Sequence, residues 1–224
     1  MKYNNMKKGF SLIELLFSIV IISLTIFTLP MLMTSSNKSD DISTTSDMIY
    51  AIESNIYATL TYKWDENGQD GIARNKVLKT NSTAIGLNEV NSTNYRIGHV
   101  IGNTRRSFHK VPLNASNSLT LEGTVINDID DFNDKNISMS KSIDIDYLNN
   151  FDVTTKVSYV EDNDASDMYQ KESIDFTLGL TPTTSSTNIK EVSITAYSSD
   201  KNLSINMKAY SSNIGEGTYV YTRW

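Results

Sequence analysis

The chain has 224 residues, of which 39% are hydrophobic and 21% are charged, a composition typical of a folded protein and too apolar for a fully disordered one. Its net charge of -6 and its pI near 4.9 argue against nucleic acid as a partner, because neutralising phosphates requires clustered lysines and arginines. The absence of cysteine excludes disulfides, thiolate zinc sites and thiol nucleophiles.

The side chains that usually carry catalysis are scarce. His99 and His109 are the only histidines, and they fall in a predicted strand and the loop after it, where an isolated histidine usually has a structural role. Arg105 and Arg106 are the only adjacent arginines. The sequence has no HExxH, P-loop or Gly-rich nucleotide turn. We therefore expect no catalytic residue, no cofactor and no enzymatic activity.

The first predicted element is an apolar segment at residues 10–33, with Glu14 as its one charge. At about 1.5 Å per residue, a helix of this length can cross a bilayer. Lysines precede the segment and acidic residues follow it, so the positive-inside bias places the N-terminus in the cytoplasm and the rest of the chain outside. These charges are Lys2, Lys7 and Lys8 before the segment, and Asp40, Asp41, Asp47 and Glu53 after it.

A secretory signal peptide and a plain signal anchor are the alternatives for this segment. A signal peptide has an apolar run of only about 7 to 15 residues followed by a small-residue cleavage site. Residues 28–36 offer no convincing site of that kind. Inserting a carboxylate into a spanning helix costs roughly 2.5 to 3.5 kcal/mol. Neither alternative gives Glu14 a role that would offset this cost. Glu14 is therefore expected to have a partner.

The residues before Glu14 carry a family resemblance. Residues 7–14, with the sequence KKGFSLIE, resemble the prepilin cleavage and methylation motif of type IV pilin-like proteins. In that motif a basic leader ends in glycine, phenylalanine follows, and glutamate stands fifth in the mature chain. The resemblance implies a prepilin peptidase in the membrane that cuts between Gly9 and Phe10 and then methylates the Phe10 amine. Glycine suits the junction because a backbone without a side chain can enter a tight cleft.

The same resemblance implies that Glu14 pairs with the Phe10 amine of a neighbouring subunit. An opposite charge would offset the desolvation that each ion suffers alone. Family members often carry a proline one position later than Pro30, so any kink geometry carries over only approximately.

After Pro30, the polar residues Ser39 and Asp40 can cap a renewed helix. One apolar helical face follows, formed by Ile42, Ile49, Ile52, Ile56 and Leu60. We predict a single helix, or two nearly collinear ones, over residues 10–62. Its first half lies in lipid or in a filament core, and its second half packs against a globular domain.

Turn residues at 64–71, with the sequence WDENGQDG, end the helix. They look like a calcium loop, but Asp70 stands where an EF-hand requires glycine, so we expect no metal there. A polar stretch then runs to about Asn94 and is predicted to be a long surface loop.

Beyond this loop the apolar period changes to two, which predicts strands with one buried face. The predicted strands lie at residues 119–125, 137–145, 153–159, 174–180, 192–196 and 203–209. Residues 198–202 form a hairpin between the last two strands, and residues 181–188 are a longer polar connection. The predicted fold class is α+β, with the long helix packed on an antiparallel sheet as in the pilin fold.

An acidic run at residues 127–134, NDIDDFND, carries a second resemblance, to minor pilins of the mannose-sensitive haemagglutinin type. Such proteins often show an Asp-Ile-Asp-Asp-aromatic stretch, later strands and a Tyr-x-Ser-Asn ending. The corresponding pieces here are residues 128–132, 153–160, 192–196 and 210–213. Clustered carboxylates around Asp130 are also possible oxygen ligands for calcium. A solvated acidic loop is the preferred interpretation, so no metal site is predicted.

These observations predict four segments: a leader at 1–9, a transmembrane or filament-core helix at 10–33, its amphipathic continuation at 34–62, and a periplasmic β-rich domain at 63–224. The expected function is that of a minor pilin or pseudopilin in a type IV pilus or type II secretion filament. The expected partners are the prepilin peptidase, other pilin subunits and the bacterial inner membrane, with no nucleic acid. The alternative is a single-pass anchored binding module or adhesin that does not polymerise.

Overall fold

The computed structural model describes residues 11–70, 74–84, 87, 113–140, 147, 149–162 and 181–214. Several sequence predictions lie outside these residues: the Gly9–Phe10 junction, both histidines, Arg105 and Arg106, and the strand at 174–180. The chain forms two compact units, Met1–Ser46 and Asp47–Trp224, which are described separately below.

Helix α1 extends over Leu12–Leu60, close to the predicted limits of 10 and 62. Pro30 lies inside this helix and does not end it, and the Thr34 hydroxyl donates a hydrogen bond to the Pro30 carbonyl at 2.9 Å. Other hydroxyls of the apolar half donate to carbonyls three or four residues earlier: Ser18, Ser23, Thr25 and Thr28. These bonds satisfy polar groups for which an apolar surrounding offers no water.

The second half of α1 buries an apolar face that differs from the predicted one. The residues of this face that belong to the core are Met48, Ala51, Ile52 and Ile56, with Leu60 packed against them. Ile42 is 68% exposed and Ile49 is 39% exposed, so their assignment to the buried face was wrong. Adjacent helical residues point about 100° apart, so a face centred on Met48 turns Ile49 outward.

The second unit contains a short ladder and a larger antiparallel sheet. The ladder pairs β1 (Gln69–Asp70) with β2 (Arg74–Asn75). The strands of the sheet are β3 (Lys135–Met139), β4 (Phe151–Val160), β5 (Pro182–Thr183), β6 (Ile189–Ser198) and β7 (Leu203–Ser212). Their order is β3-β4-β6-β7, and β5 pairs with the end of β4. The predicted strands at 153–159, 192–196 and 203–209 are therefore confirmed.

One face of this sheet forms the core together with α1. Val153 lies opposite Ala196, and Val157 lies opposite Val192, so apolar side chains of β4 and β6 share that face. They cluster with Met48 and the other buried residues of the helix. The α+β prediction, a long helix packed on an antiparallel sheet, is confirmed.

The β6–β7 hairpin is also confirmed. Ser198 pairs with Leu203, which leaves four residues in the loop, 199–202. Asn202 has φ 48°, a left-handed conformation that asparagine tolerates better than most residues, and its N–H donates to the Ser199 carbonyl.

Two predictions for the segments between the helix and the sheet were wrong. Residues 119–125 form no strand, and Leu121 and Val125 are exposed, because no neighbouring strand lies beside them in the described part of the chain. The described residues 74–84 are not all surface loop, since Val77 and Leu78 are buried.

A buried asparagine holds the segment around Leu78 in place. The Leu78 N–H donates to Asn213 Oδ1 at 3.0 Å, and Asn213 Nδ2 donates to the Leu78 carbonyl at 2.8 Å. Asn213 Nδ2 also lies 3.0 Å from Asn188 Oδ1. The end of β7 is thereby joined to the segment that follows α1 and to the start of β6.

We predict that a fragment from Ser39 to the C-terminus is soluble and unfolds cooperatively in urea. It keeps Met48 and Ile52, which complete the core, and it removes the apolar half of the helix. A matched fragment that starts at residue 63 lacks all the core residues that α1 contributes, and it should not fold. Circular dichroism during urea titration distinguishes the two, and a non-cooperative transition in the longer fragment would contradict the prediction.

Candidate functional site

Glu14 lies in the first turn of α1 and caps the helix. Its Oε2 accepts a hydrogen bond from the Ser11 N–H at 3.0 Å. Ser11 directly precedes the helix and Glu14 is its third residue, so the pair forms the reciprocal half of a capping box. The S-x-x-E spacing of Ser11 and Glu14 is the sequence signal for this cap, which was not predicted; the predicted partner of Glu14 was the amine of another subunit.

The apolar half of α1 is exposed in the part of the chain that the structure describes. It contains an 18-residue window of mean hydropathy 2.5, and none of that window is buried. Apolar side chains such as Leu12 and Phe27 are more than 80% exposed. A surface of this kind requires lipid or other apolar helices around it.

A second site surrounds the ammonium of Lys190, on the core face of β6. Lys190 Nζ lies 2.6 Å from Asp130 Oδ1 and 3.7 Å from Asp65 Oδ2, and all three side chains are fully buried. It donates to the Trp64 carbonyl at 2.6 Å and lies 4.0 Å from the centre of the Trp64 ring. Tyr159 is its cross-strand neighbour on β4, and the centre of the Tyr159 ring lies 5.2 Å from the same ammonium.

The acidic run that supplies Asp130 is folded by its own carboxylates. Asp128 Oδ1 accepts the N–H groups of Asp130 and Asp131 at 2.9 and 3.3 Å. Asp131 Oδ2 accepts the Asn127 N–H at 2.7 Å. A 3₁₀ turn at Asp130–Phe132 follows. These bonds explain how several carboxylates remain buried in one short segment.

The prediction of a solvated acidic loop was therefore wrong. Asp128 and Asp130 are fully buried, and Asp131 is 5% exposed. The carboxylates stay buried because the charge of Lys190, which lies far along the sequence, compensates Asp130. Local N–H groups bind the other carboxylates. The available sequence signal was Lys190 itself, which stands at the start of the alternate positions that Val192, Ile194 and Ala196 continue.

Burial changes the proton affinity of this cluster. It raises the pKa of Asp130 above its ordinary value, and the positive charge of Lys190 opposes that rise. Burial also raises the pKa of Glu66 to about 7, and the neighbouring Asp65 and Asp128 add to the effect. Burial raises the pKa of Tyr159, so its hydroxyl stays protonated and donates to the Ser116 carbonyl at 2.5 Å.

Comparison with known proteins identifies one segment of the chain. The family model described as the prokaryotic N-terminal methylation motif matches residues 4–29. No curated protein and no solved structure matches the chain. The matched residues include the Gly9–Phe10 junction, Glu14 and the apolar first half of α1.

This motif and the long apolar helix support a type IV pilin-like prepilin. The family that carries this pilin motif consists of structural subunits, and the motif implies processing by a peptidase and assembly with other pilin subunits. The apolar helix and the motif also fit anchoring in the inner membrane.

We predict that Lys190→Met lowers the free energy of unfolding by about 3 to 5 kcal/mol, because it leaves the buried carboxylates of Asp65 and Asp130 without their cation. Lys156→Met is the matched control. Lys156 pairs with Asp134 at the surface, where both side chains are more than 60% exposed, so its loss should change little. Urea unfolding followed by tryptophan fluorescence measures both variants. Equal midpoints for the two variants would contradict a stabilising role for Lys190.

Proposed function

We propose that the chain is a minor pilin or pseudopilin, processed by prepilin peptidase and assembled from the inner membrane into a type IV pilus or type II secretion filament. The β-rich domain stands on the periplasmic side. The methylation motif at residues 4–29 supports processing, and the long domain after α1 favours a minor subunit. The mannose-sensitive haemagglutinin type is the proposed subtype.

One observation carries the polymerising function: a carboxylate stands at the start of an apolar helix whose side chains are exposed among the described residues. Glu14 keeps one oxygen on the Ser11 N–H. A carboxylate has lone pairs for further bonds, and in a bundle of such helices the cleaved Phe10 amine of a neighbour is a suitable cation. This ion pair would fix the axial register between subunits.

The capping contact also favours a second candidate function. A carboxylate that caps its own helix has a use without any neighbouring subunit. The chain would then be a single-pass anchored binding module or adhesin that never polymerises. The two functions differ in whether the charge of Glu14 is needed or only its hydrogen-bond acceptor.

We predict that the mature chain begins at methylated Phe10. Mass spectrometry of the protein from a strain with an active prepilin peptidase should show loss of residues 1–9 and one added methyl group. Gly9→Leu should prevent the cut, because the bulky side chain cannot enter the peptidase cleft. A strain without the peptidase is the control. An intact leader in the strain with active peptidase would refute the proposal.

We predict that Glu14→Ala and Glu14→Gln both leave cleavage intact and both prevent the subunit from co-purifying with filaments. Glutamine keeps an oxygen for the Ser11 N–H but has no charge to attract the Phe10 amine. Asp40→Asn, which removes an exposed carboxylate elsewhere on α1, is the control and should assemble normally.

The glutamine variant distinguishes the two candidate functions. If it assembles as well as the parent while the alanine variant does not, the carboxylate acts as a cap and the intersubunit ion pair is refuted. If both variants enter filaments normally, Glu14 has no part in assembly, and the anchored module becomes the better description. Mature-chain mass and filament incorporation should be measured in the same strain.

A further inference from the structure

Three carboxylates converge beside the Lys190 site, where α1 ends. Glu66 belongs to the 3₁₀ turn Glu66–Gly68, Asp128 lies two residues before the 3₁₀ turn Asp130–Phe132, and Glu122 lies in the segment between. Oxygen atoms of these three side chains lie within 4.8 Å of one another. Three like charges at this separation repel one another unless protons or a cation neutralise them.

Asp128 gives this cluster a free buried oxygen. Its side chain is fully buried, and its Oδ1 accepts two backbone N–H groups. Among the residues that the structure describes, no N–H or hydroxyl group donates to its Oδ2, and the same holds for Glu66 Oε2 and Asp131 Oδ1. Buried carboxylate oxygens normally bind a donor or a metal, so these unpaired atoms point to a ligand.

Lys190 does not supply the missing charge. Its ammonium contacts Asp130 and Asp65 and is already bonded to the Trp64 carbonyl. Within the described parts of the chain, no ion pair reaches Glu66, Glu122 or Asp128. The ammonium therefore satisfies one side of the acidic cluster and leaves the other side without a cation.

We propose that Glu66, Glu122 and Asp128 bind one calcium ion, with Asp131 Oδ1 close enough in the chain to join them. Calcium takes six to eight oxygen ligands at about 2.3 to 2.6 Å, so two ligands on opposite sides of the ion stand about 5 Å apart. Oxygen atoms that all lie within 4.8 Å of one another can reach one such ion. Magnesium demands near-ideal octahedral geometry and usually keeps several waters, so a group of protein carboxylates suits calcium better.

The ion would add a connection between two segments that lie far apart in the sequence. Glu66 follows α1, and Asp128 lies about 60 residues later, where the Ile129 N–H donates to the Lys63 carbonyl at 2.9 Å. A cation between them ties the turn after the helix to the acidic segment. Glu122 is exposed, which gives the ion a route from solvent and leaves room for water as the remaining ligands.

The test is calcium titration of the detergent-solubilised full-length chain after treatment with a chelator. Isothermal titration calorimetry up to about 10 mM calcium covers the affinities of extracellular sites. We expect one ion per chain, a higher unfolding temperature with calcium, and weaker binding of magnesium. Terbium luminescence provides a second readout, because Trp64 lies only two residues from Glu66 and can sensitise the bound ion.

Asp128→Asn is the main variant, since asparagine keeps the oxygen that accepts the Asp130 and Asp131 N–H groups. It should bind calcium at least about tenfold more weakly. In chelator it should be as stable as the parent or more stable, because one repelling charge has gone. Glu122→Gln lies at the surface and is not expected to affect folding, so its weaker binding tests the site independently. Glu161→Gln, another exposed carboxylate, should leave affinity unchanged.

The proposal is overturned if the parent binds no calcium at 10 mM, a concentration above the range of about 10⁻⁴ to 10⁻³ M typical of extracellular modules. Unchanged affinity in both Asp128→Asn and Glu122→Gln also refutes this site. Magnesium that binds as tightly as calcium refutes the assignment of the ion. Because the titration uses the isolated chain, its result is independent of whether the protein polymerises.

Discussion

The buried ammonium of Lys190 is the interaction on which the arrangement of the second unit depends. A cation in a protein interior costs several kcal/mol unless carboxylates, carbonyls and aromatic rings replace the lost water. Here Asp130, the Trp64 carbonyl and the Trp64 ring replace this water. Asp130 and Trp64 both lie far from β6 in the sequence. The turn after α1, the acidic segment and the sheet must therefore come together for any of these charges to be satisfied.

Three carboxylates of the molecule are stabilised in three different ways. Glu14 accepts an N–H at the start of a helix, where the helix dipole also favours negative charge. Asp130 pairs with an ammonium, and Asp128 binds the N–H groups of its own turn. Among the described residues, these interactions leave an exposed apolar helix beside Glu14 and carboxylate oxygens without an N–H or hydroxyl donor at Asp128, and the functional proposals rest on these two features.

Local periodicity was enough to predict much of the fold. The α1 limits, the three long strands and the β6–β7 hairpin follow from apolar spacing and turn residues, which act over short distances. The strand expected at 119–125 failed because alternation alone does not supply a neighbouring strand. The buried helix face was displaced from Ile49 to Met48 because two adjacent apolar residues satisfy the period about equally, and only contact with β4 and β6 chooses between them.

The sequence by itself identified the N-terminal methylation motif, because this motif is a linear signal at residues 4–29 and its recognition needs no tertiary structure. It also determined the fold class and the absence of disulfides. Only the tertiary structure decided that the acidic run is buried. The burial of Asp130 depends on Lys190, 60 residues further along the chain, and on Asp65, and no local pattern records that these three residues meet. Charge compensation over such distances is a property of the folded core, where low solvation makes each unpaired charge costly.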